Sequence, residues 1–404
     1  MHIVHIARKN LIHHFSSSFL SVLLTSFGTA IFCLILLLSN QFNRQLTINS
    51  RHIDLVVGAK GSPLQLILNS IYHIDYPTGN ILLKDAEHIA KHPLVRLAVP
   101  LSMGDNYQGY RIIGTDSTFL SLYGASLGEG RWVNKDFEAV IGYQVAHTKK
   151  LRLGDRITGA HGLSNAADLH TDHPYTVSGI LNKSENVVDR LVLTNLSSVW
   201  HMHEEHPHDG EELGQNEVKS LVDVVHQDKE ITSLLIQYKN PTAVALFPRM
   251  VNQTTNMQAA SPAMESARLL SMMGIGMDTL TIFASVLMCM AAISVFISLY
   301  NAFTYRKYEL ALMRTMGASR IKLFLLMVTE GLYITLLGTV LGMLLAHVSL
   351  WFIDFYGSSE IIRPWQLQLE EIRVIWIGLA IGIIASLIPA IKAYTTSISK
   401  TLSR

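Results

Sequence analysis

Four stretches of the chain stay apolar over the length that a bilayer core demands, about 20 residues at a helical rise of about 1.5 Å each. They cover residues 19–39, 279–303, 323–353 and 374–391. The second contains no charged residue, and the third carries Glu330 and His347 inside an otherwise apolar run. The first follows Arg8 and Lys9, as a signal peptide's apolar core would. Its run is too long for one, however, and Asn40, Gln41, Phe42, Asn43 and Arg44 follow where small residues would mark cleavage. A retained helix is predicted there.

Between the first two spans the pattern changes to short alternating or apolar runs bounded by Gly, Asp and Asn. These predict strands over 95–99, 110–113, 139–141, 156–158, 175–180, 190–193 and 233–238. Helical spacing predicts helices over 84–91, 117–123 and 144–151. The alternation is too irregular for a doubly wound sheet. The predicted fold class is a membrane protein with four transmembrane α-helices and a large α+β extracytoplasmic domain inserted between the first and second spans. Residues 54–81, rich in Leu and Ile but broken by Gly58, Gly61, Pro63, Pro77 and Gly79, read as a loop and helix packed on the domain's base. The same composition suits a surface against the membrane, or a path for an apolar substrate. Residues 242–277 read as one helix leading into the second span, broken near Pro248 and Pro262.

Composition agrees, with 49% hydrophobic and 16% charged residues. That is too apolar for an ordinary soluble enzyme of 404 residues. A net charge of +1 gives no field for nucleic acid, which is not expected as a partner. The local distribution of charge sets topology. Arg306, Lys307, Arg314, Arg320 and Lys322 face one acid, Glu309, between the second and third spans, and Lys392, Lys400 and Arg404 crowd the C-terminal tail. Basic short loops stay inside. The expected order is therefore a cytoplasmic segment 1–18, an outer domain 40–277, a cytoplasmic helix 304–322, an outer loop 354–373 and a cytoplasmic tail 392–404. Cys33 and Cys289 both fall in spans, so the outer domain has no disulfide and must be held by its core.

The most specific segment runs from Arg306 through Glu309, Leu310, Met313, Arg314, Gly317 and Ala318 to Arg320, and continues as an apolar helix with the pair Glu330-Gly331. Leu310, Met313 and Met316 or Gly317 recur at helical spacing beside basic residues, which predicts a short amphipathic helix at the inner membrane face. A basic helix that merely fixes topology would show the same periodicity. The segment resembles the FtsX/MacB-like ABC transporter permease family. Residues 138–146, the Leu153-Gly154-Asp155 turn, residues 175–180 and 189–193, Gly114 to Asp116 and Glu129 to Arg131 are similar to that family's periplasmic core domain.

The resemblance implies a non-catalytic permease of a bacterial inner membrane. Its short cytoplasmic helix would dock in a groove of a separate ABC ATPase dimer, with Arg306, Glu309, Leu310, Met313, Arg314, Gly317 and Ala318 as the coupling residues. It also implies a second permease copy or paralogue, a periplasmic partner and membrane lipids around the spans. ATP and Mg would sit on the ATPase, and no cofactor is expected on this chain. Consistent with that, the glycines at 104 and 109 have phosphate-loop spacing, but Tyr110 and Arg111 stand where Lys and Ser or Thr are needed.

Glu330 lies about eight residues, or roughly 12 Å, into the third span. A carboxylate at that depth is either functional or tied into a helix interface by hydrogen bonds. Gly338 and Gly342 on the same helix have the spacing that lets helices approach closely. His201, His203, His206 and His208 form a His-rich loop with five acids. Clustered imidazoles suit zinc, and related permeases are associated with zinc acquisition, whereas a solvated insertion is the plainer reading. Two further functions follow as alternatives: a signalling scaffold that activates a periplasmic partner, and a zinc-related uptake component.

Overall fold

The computed structural model describes residues 3–13, 15–160, 173–204, 229–357 and 363–395. The chain divides into two compact units, one of Met1–Arg44 with Ser271–Arg404 and one of Gln45–Leu270. In chain order the elements begin with helices α1 (Ile3–His13) and α2 (Phe15–Ser50). Strand β1 (Leu55–Ala59), helix α3 (Pro63–Ser70), β2 (Ile81–Leu82), α4 (Leu83–Ala90), β3 (Val95–Tyr107), β4 (Tyr110–Gly114), α5 (Phe119–Tyr123) and β5 (Leu127–Gly130) follow. Next come β6 (Glu138–Ile141), α6 (Tyr143–Lys149), β7 (Arg156–Ile157), β8 (Tyr175–Leu181), β9 (Val192–Thr194) and α7 (Leu196–Glu204). The chain ends with β10 (Glu230–Ile231), β11 (Ser233–Tyr238), α8 (Ala243–Thr254), β12 (Met257–Ala260), α9 (Pro262–Tyr305), α10 (Lys307–Thr315), α11 (Arg320–Gly357) and α12 (Glu371–Thr395).

Among the described residues, four helices are long and apolar enough to cross a membrane: Ser18–Ser50, Pro262–Tyr305, Arg320–Tyr356 and Glu371–Thr395. A helix keeps all its backbone hydrogen bonds internal, which lipid requires. All four run past the apolar stretches read from sequence, because hydropathy marks the lipid-facing part and the backbone continues beyond it. Small residues then bring these helices together. A Cβ added at Gly338 would lie 2.6 Å from Thr25 Cβ, and one at Gly342 would lie 2.6 Å from the Ser26 carbonyl, so the glycine pair seats α11 on α2. Gly378 and Gly382 of α12 meet the hydroxyls of Thr339 and Thr335 in the same way. Leu37 and Cys33 pack with Ala346 and Leu350 at one level, and Val295 and Leu299 with Ile334 and Ala385 at another.

The second unit is built on a mixed ten-stranded sheet in the order β12-β1-β11-β3-β4-β9-β6-β8-β5, with β7 beside β8. The pairs β4 with β9 and β6 with β8 are parallel, and the other pairs in the sheet are antiparallel. One core gathers Leu55, Val57 and Ile236 with Phe247 and Val251 of α8. Another gathers Tyr110, Ile112, Ile141, Val177 and Val192. These buried apolar runs explain how a domain without cysteines holds together.

Three readings need correction. Residues 242–277 are not a single helix: α8 tolerates Pro248 inside it and ends at Thr254, and β12 then pairs with β1 before α9 starts at Pro262. The Asn252 side chain accepts from Ala259 N at 2.7 Å and so fixes the turn between helix and strand. Residues 54–81 hold a strand, β1, inside the sheet, buried from Leu55 to Gly58. The predicted strand over 190–193 starts at Val192, because Asn186 caps a short 3-10 turn at Val187–Arg190.

Candidate functional site

The helix α9 stops at Tyr305 because Arg306 leaves helical geometry, with φ −102° and ψ 11°. Its carbonyl accepts from Leu310 N at 2.9 Å and opens α10. At the other end, Ala318 N donates to the Met313 carbonyl at 2.9 Å and Gly317 N to the Arg314 carbonyl at 3.1 Å. This paired closure needs a left-handed residue after the helix, and Gly317 supplies it at φ +94°. Ser319 then caps α11, its hydroxyl accepting from Lys322 N at 3.3 Å. The Gly-Ala-Ser run is therefore a stop signal followed by a start signal, and it folds α10 into a short separate helix.

The inner face of α10 buries Leu310 and Ala311, both 1% exposed, and Leu310 joins a cluster with Ala7, Phe303, Leu323, Leu326, Met327, Ala390 and Ala393. Met313 packs on the rim of the same cluster. Leu310, one of the expected coupling residues, is buried: it sits on the face that anchors α10 to the bundle. The opposite face exposes Tyr308 at 61%, Leu312 at 47% and Met316 at 82%, with Tyr305 just before it. Sequence reading put Met316 on one stripe with Leu310 and missed Tyr305, Tyr308 and Leu312, although the spacing of three, four and four residues was present in the pattern. Glu309 is exposed in the first turn and Arg314 half-buried in the last, the signs that a helix dipole favours at each end.

Arg306 turns inward. Its side chain is 6% exposed, and Nη1 lies 3.1 Å from Oε1 of Glu330, whose own side chain is 2% exposed. Arg306 Nε reaches Glu309 Oε2 at 3.4 Å. Asn10 of α1 donates to Glu330 Oε1 at 2.6 Å. The carboxylate predicted inside the third span thus has partners on two other segments. A buried ion pair of this kind holds only when both charges remain paired and hydrogen-bonded. The arrangement ties the start of α10 to α11 and α1.

A second buried pair lies on α11 and α12. His347 Nε2 is 3.2 Å from Glu371 Oε2, and His347 Nδ1 is 2.5 Å from the Pro364 carbonyl. Gln41 and Arg363 exchange hydrogen bonds at 3.1 and 3.2 Å, which fastens the segment before α12 to α2.

The His-rich run is only partly visible. His201 lies on α7 with Nδ1 3.7 Å from Asp136 Oδ2, while the side chain of His203 and all of His206 and His208 lie outside the described residues. Among the described residues no group of three or more His, Cys, Asp or Glu is placed to hold a metal ion.

Four membrane-length helices, an α+β domain between the first two, and a short helix between the second and third define a multi-pass membrane protein. Residues 18–249 match the family model of the MacB-like periplasmic core domain and residues 281–398 that of the FtsX-like permease C-terminal. The chain belongs to this FtsX/MacB-like family of ABC transporter permeases. A relative in Mycobacterium tuberculosis, an uncharacterised ABC transporter permease protein, is 25% identical over 334 residues. That alignment takes in 75% of this chain and 34% of the relative, so the chain spans about a third of the relative's length. Among solved structures, the periplasmic region of MacB from Actinobacillus actinomycetemcomitans aligns at 11% identity with a TM-score of 0.35, covering 55% of this chain and 95% of that one. The extracellular domain of the transporter YknZ from Gram-positive bacteria aligns at 12% identity and 0.30, covering 52% and 99%.

Proposed function

We propose that this chain is the non-catalytic permease subunit of an ABC transporter in a bacterial inner membrane, driven by a separate ATPase dimer that grips α10. The observation that carries this reading is the two-faced α10. Leu310 anchors it to the bundle, while Tyr308, Leu312 and Met316 stay exposed beside basic residues. An exposed apolar stripe rimmed by charge is the signature of a docking surface. ATP and Mg belong to the ATPase, both termini and α10 face the cytoplasm, and the Gln45–Leu270 unit faces outward. A second permease copy or paralogue completes the assembly. The buried Arg306 with Glu330 passes movement of α10 to α11, and the outer domain acts on the substrate or on a periplasmic partner.

The test is co-expression with the cognate ATPase, followed by purification and ATP turnover in proteoliposomes. Leu312→Glu combined with Met316→Glu is expected to abolish co-purification and to lower turnover at least tenfold, with the permease still folded. Unchanged association and turnover overturn the reading.

A further inference from the structure

The connection between α11 and α12 turns its amides toward the bundle and its large apolar side chains away. From Trp365 to Glu370 exposure alternates residue by residue: Trp365, Leu367 and Leu369 stand out at 61%, 79% and 81%, with Gln366, Gln368 and Glu370 half-buried between them. The two glutamines are pinned to α2. Asn40 Nδ2 donates to Gln368 Oε1 at 3.2 Å and Arg44 Nη1 to Gln366 Oε1 at 3.4 Å, while Gln41 holds the Arg363 backbone through two hydrogen bonds. Gln368 N donates to Glu371 Oε1 at 2.8 Å, and the Trp365 ring stacks on His347 of α11 with centres 6.0 Å apart. A connection surrounded by water ordinarily does the reverse, because burying polar groups costs free energy and exposing apolar ones gains none. Here hydrogen bonds to α2 satisfy the inward amides, so the bundle itself holds the three apolar side chains outward.

The helices that hold this connection also set its level, and all of them belong to the unit of Met1–Arg44 and Ser271–Arg404. Asn40 and Gln41 directly follow the apolar run of α2, which ends at residue 39, and Arg44 lies about 7–8 Å of helix beyond that end. Glu371 lies three residues before the apolar run of α12, and His347 is still inside that of α11. The polar layer of a bilayer beyond its hydrocarbon is roughly 5–8 Å deep on each side. Residues 363–369 therefore lie at the level of that layer. Their apolar side also continues into the exposed face of α12, where Ile372 and Trp376 follow at 49% and 67%.

We infer that residues 363–369 form an amphipathic strap lying in the interfacial layer of the leaflet opposite α10, with Trp365, Leu367 and Leu369 seated in lipid. The occupant is the bilayer, because the strap carries the exposed apolar surface of α12 onward at the depth where tryptophan is favoured. Its ring enters the apolar boundary there while its N–H stays wet, and the two leucines add buried apolar area. This part of the connection, expected over 354–373 as an outer loop, is thereby an extension of the membrane-embedded surface. The inference needs only that α2, α11 and α12 cross a membrane, and it is independent of how an ATPase docks.

The experiment uses the full chain with Cys33→Ala and Cys289→Ala, reconstituted in vesicles of phosphatidylethanolamine and phosphatidylglycerol. A nitroxide is attached at Leu367→Cys or Leu369→Cys, which leave the contacts to α2 and the Trp365 stack in place. Lys135→Cys, exposed on the β5–β6 connection, is the water reference, and Ile384→Cys, 69% exposed within α12, is the lipid reference. Collision rates with oxygen, which concentrates in lipid, and with a water-soluble nickel chelate are then compared. The expected result is an oxygen-to-nickel ratio at positions 367 and 369 at least threefold above that at 135, on the side of the value at 384. A ratio equal to that at 135 overturns the inference. Shielding from both reagents also overturns it, since that outcome means the strap is covered by a second copy or another protein surface.

Discussion

Arg306 and Glu330 face each other at 3.1 Å across the start of α10 and the body of α11, both almost wholly buried. Neither charge would be stable there alone, since moving an ion out of water costs several kcal/mol even after relaxation. Asn10 brings α1 to the same carboxylate, so one Glu330 side chain reads the position of three segments. The contact therefore joins all three segments at one carboxylate.

Breaking the pair and erasing it therefore have different outcomes. Glu330→Ala removes the buried partner of the guanidinium and is expected to cost about 3–5 kcal/mol, whereas replacing Arg306 and Glu330 by Met and Asn10 by Leu together costs far less. Thermal unfolding of the detergent-purified protein measures both. If the joint relays force, the triple variant stays folded and binds the ATPase, yet its ATP turnover no longer responds to substrate or partner.

The two faces of α10 separate stability from association in the same way. Leu310→Ala opens a hole in the cluster around Met327 and Leu323 and is expected to lower stability by about 2–5 kcal/mol. Tyr308→Ala, on the outer face, is expected to change stability by under about 0.5 kcal/mol and to weaken ATPase association instead. Unfolding curves and pull-down with the ATPase distinguish the two effects.

Glycines provide an internal control for helix packing. Gly338→Leu or Gly342→Leu drives a side chain into α2 at Thr25 or Ser26, for an expected loss of about 1–3 kcal/mol. Gly274 and Gly276 have nothing within 4 Å of an added Cβ. Converting them to Ala is expected to be neutral, or to stabilise α9 by up to about 1 kcal/mol. Chemical denaturation of each variant decides.

The four spans were legible because a bilayer imposes one simple rule on composition, and the α10 segment was legible because its Arg, Glu and Gly-Ala-Ser sit at fixed spacing. Which face of α10 looks inward was not. Leu310 and Leu312 are both leucines in one helix, and only the surrounding α1, α11 and α12 decide that Leu310 is covered. Glu330 was legible as costly, but Asn10, 320 positions away, carries no mark of being its partner. Met257 to Ala260 has no alternation to betray a strand, and it becomes one because β1 offers an open edge. The polar burial at His73 runs against every local rule and could not be read from sequence at all.

Two groups in the Gln45–Leu270 unit make stability depend on acidity. The Glu138 carboxylate is gripped by Arg131 at 2.5 and 2.7 Å and by the amides of Asn134 and Lys135, which draws its pKa down from 4.5 to about 2. Its contribution is complete above pH 4.5 and is lost as the pH falls toward 2. With Arg131 half exposed to solvent, that contribution is about 1 kcal/mol or less. Burial, aided by Arg111, pushes the His73 imidazole down from 6.5 to about 3. Here the unfolded chain binds the proton first, so stability is complete above pH 6.5 and declines from there to about 3. Glu138→Gln is therefore expected to lower stability slightly at pH 7 and to flatten the profile only between 4.5 and 2. His73→Asn keeps a side chain that tolerates positive φ and is expected to flatten it between 6.5 and 3. Denaturant midpoints of the full-length protein across that pH range separate the two, and a His73→Asn profile that still declines from 6.5 would show that the ring is not held neutral.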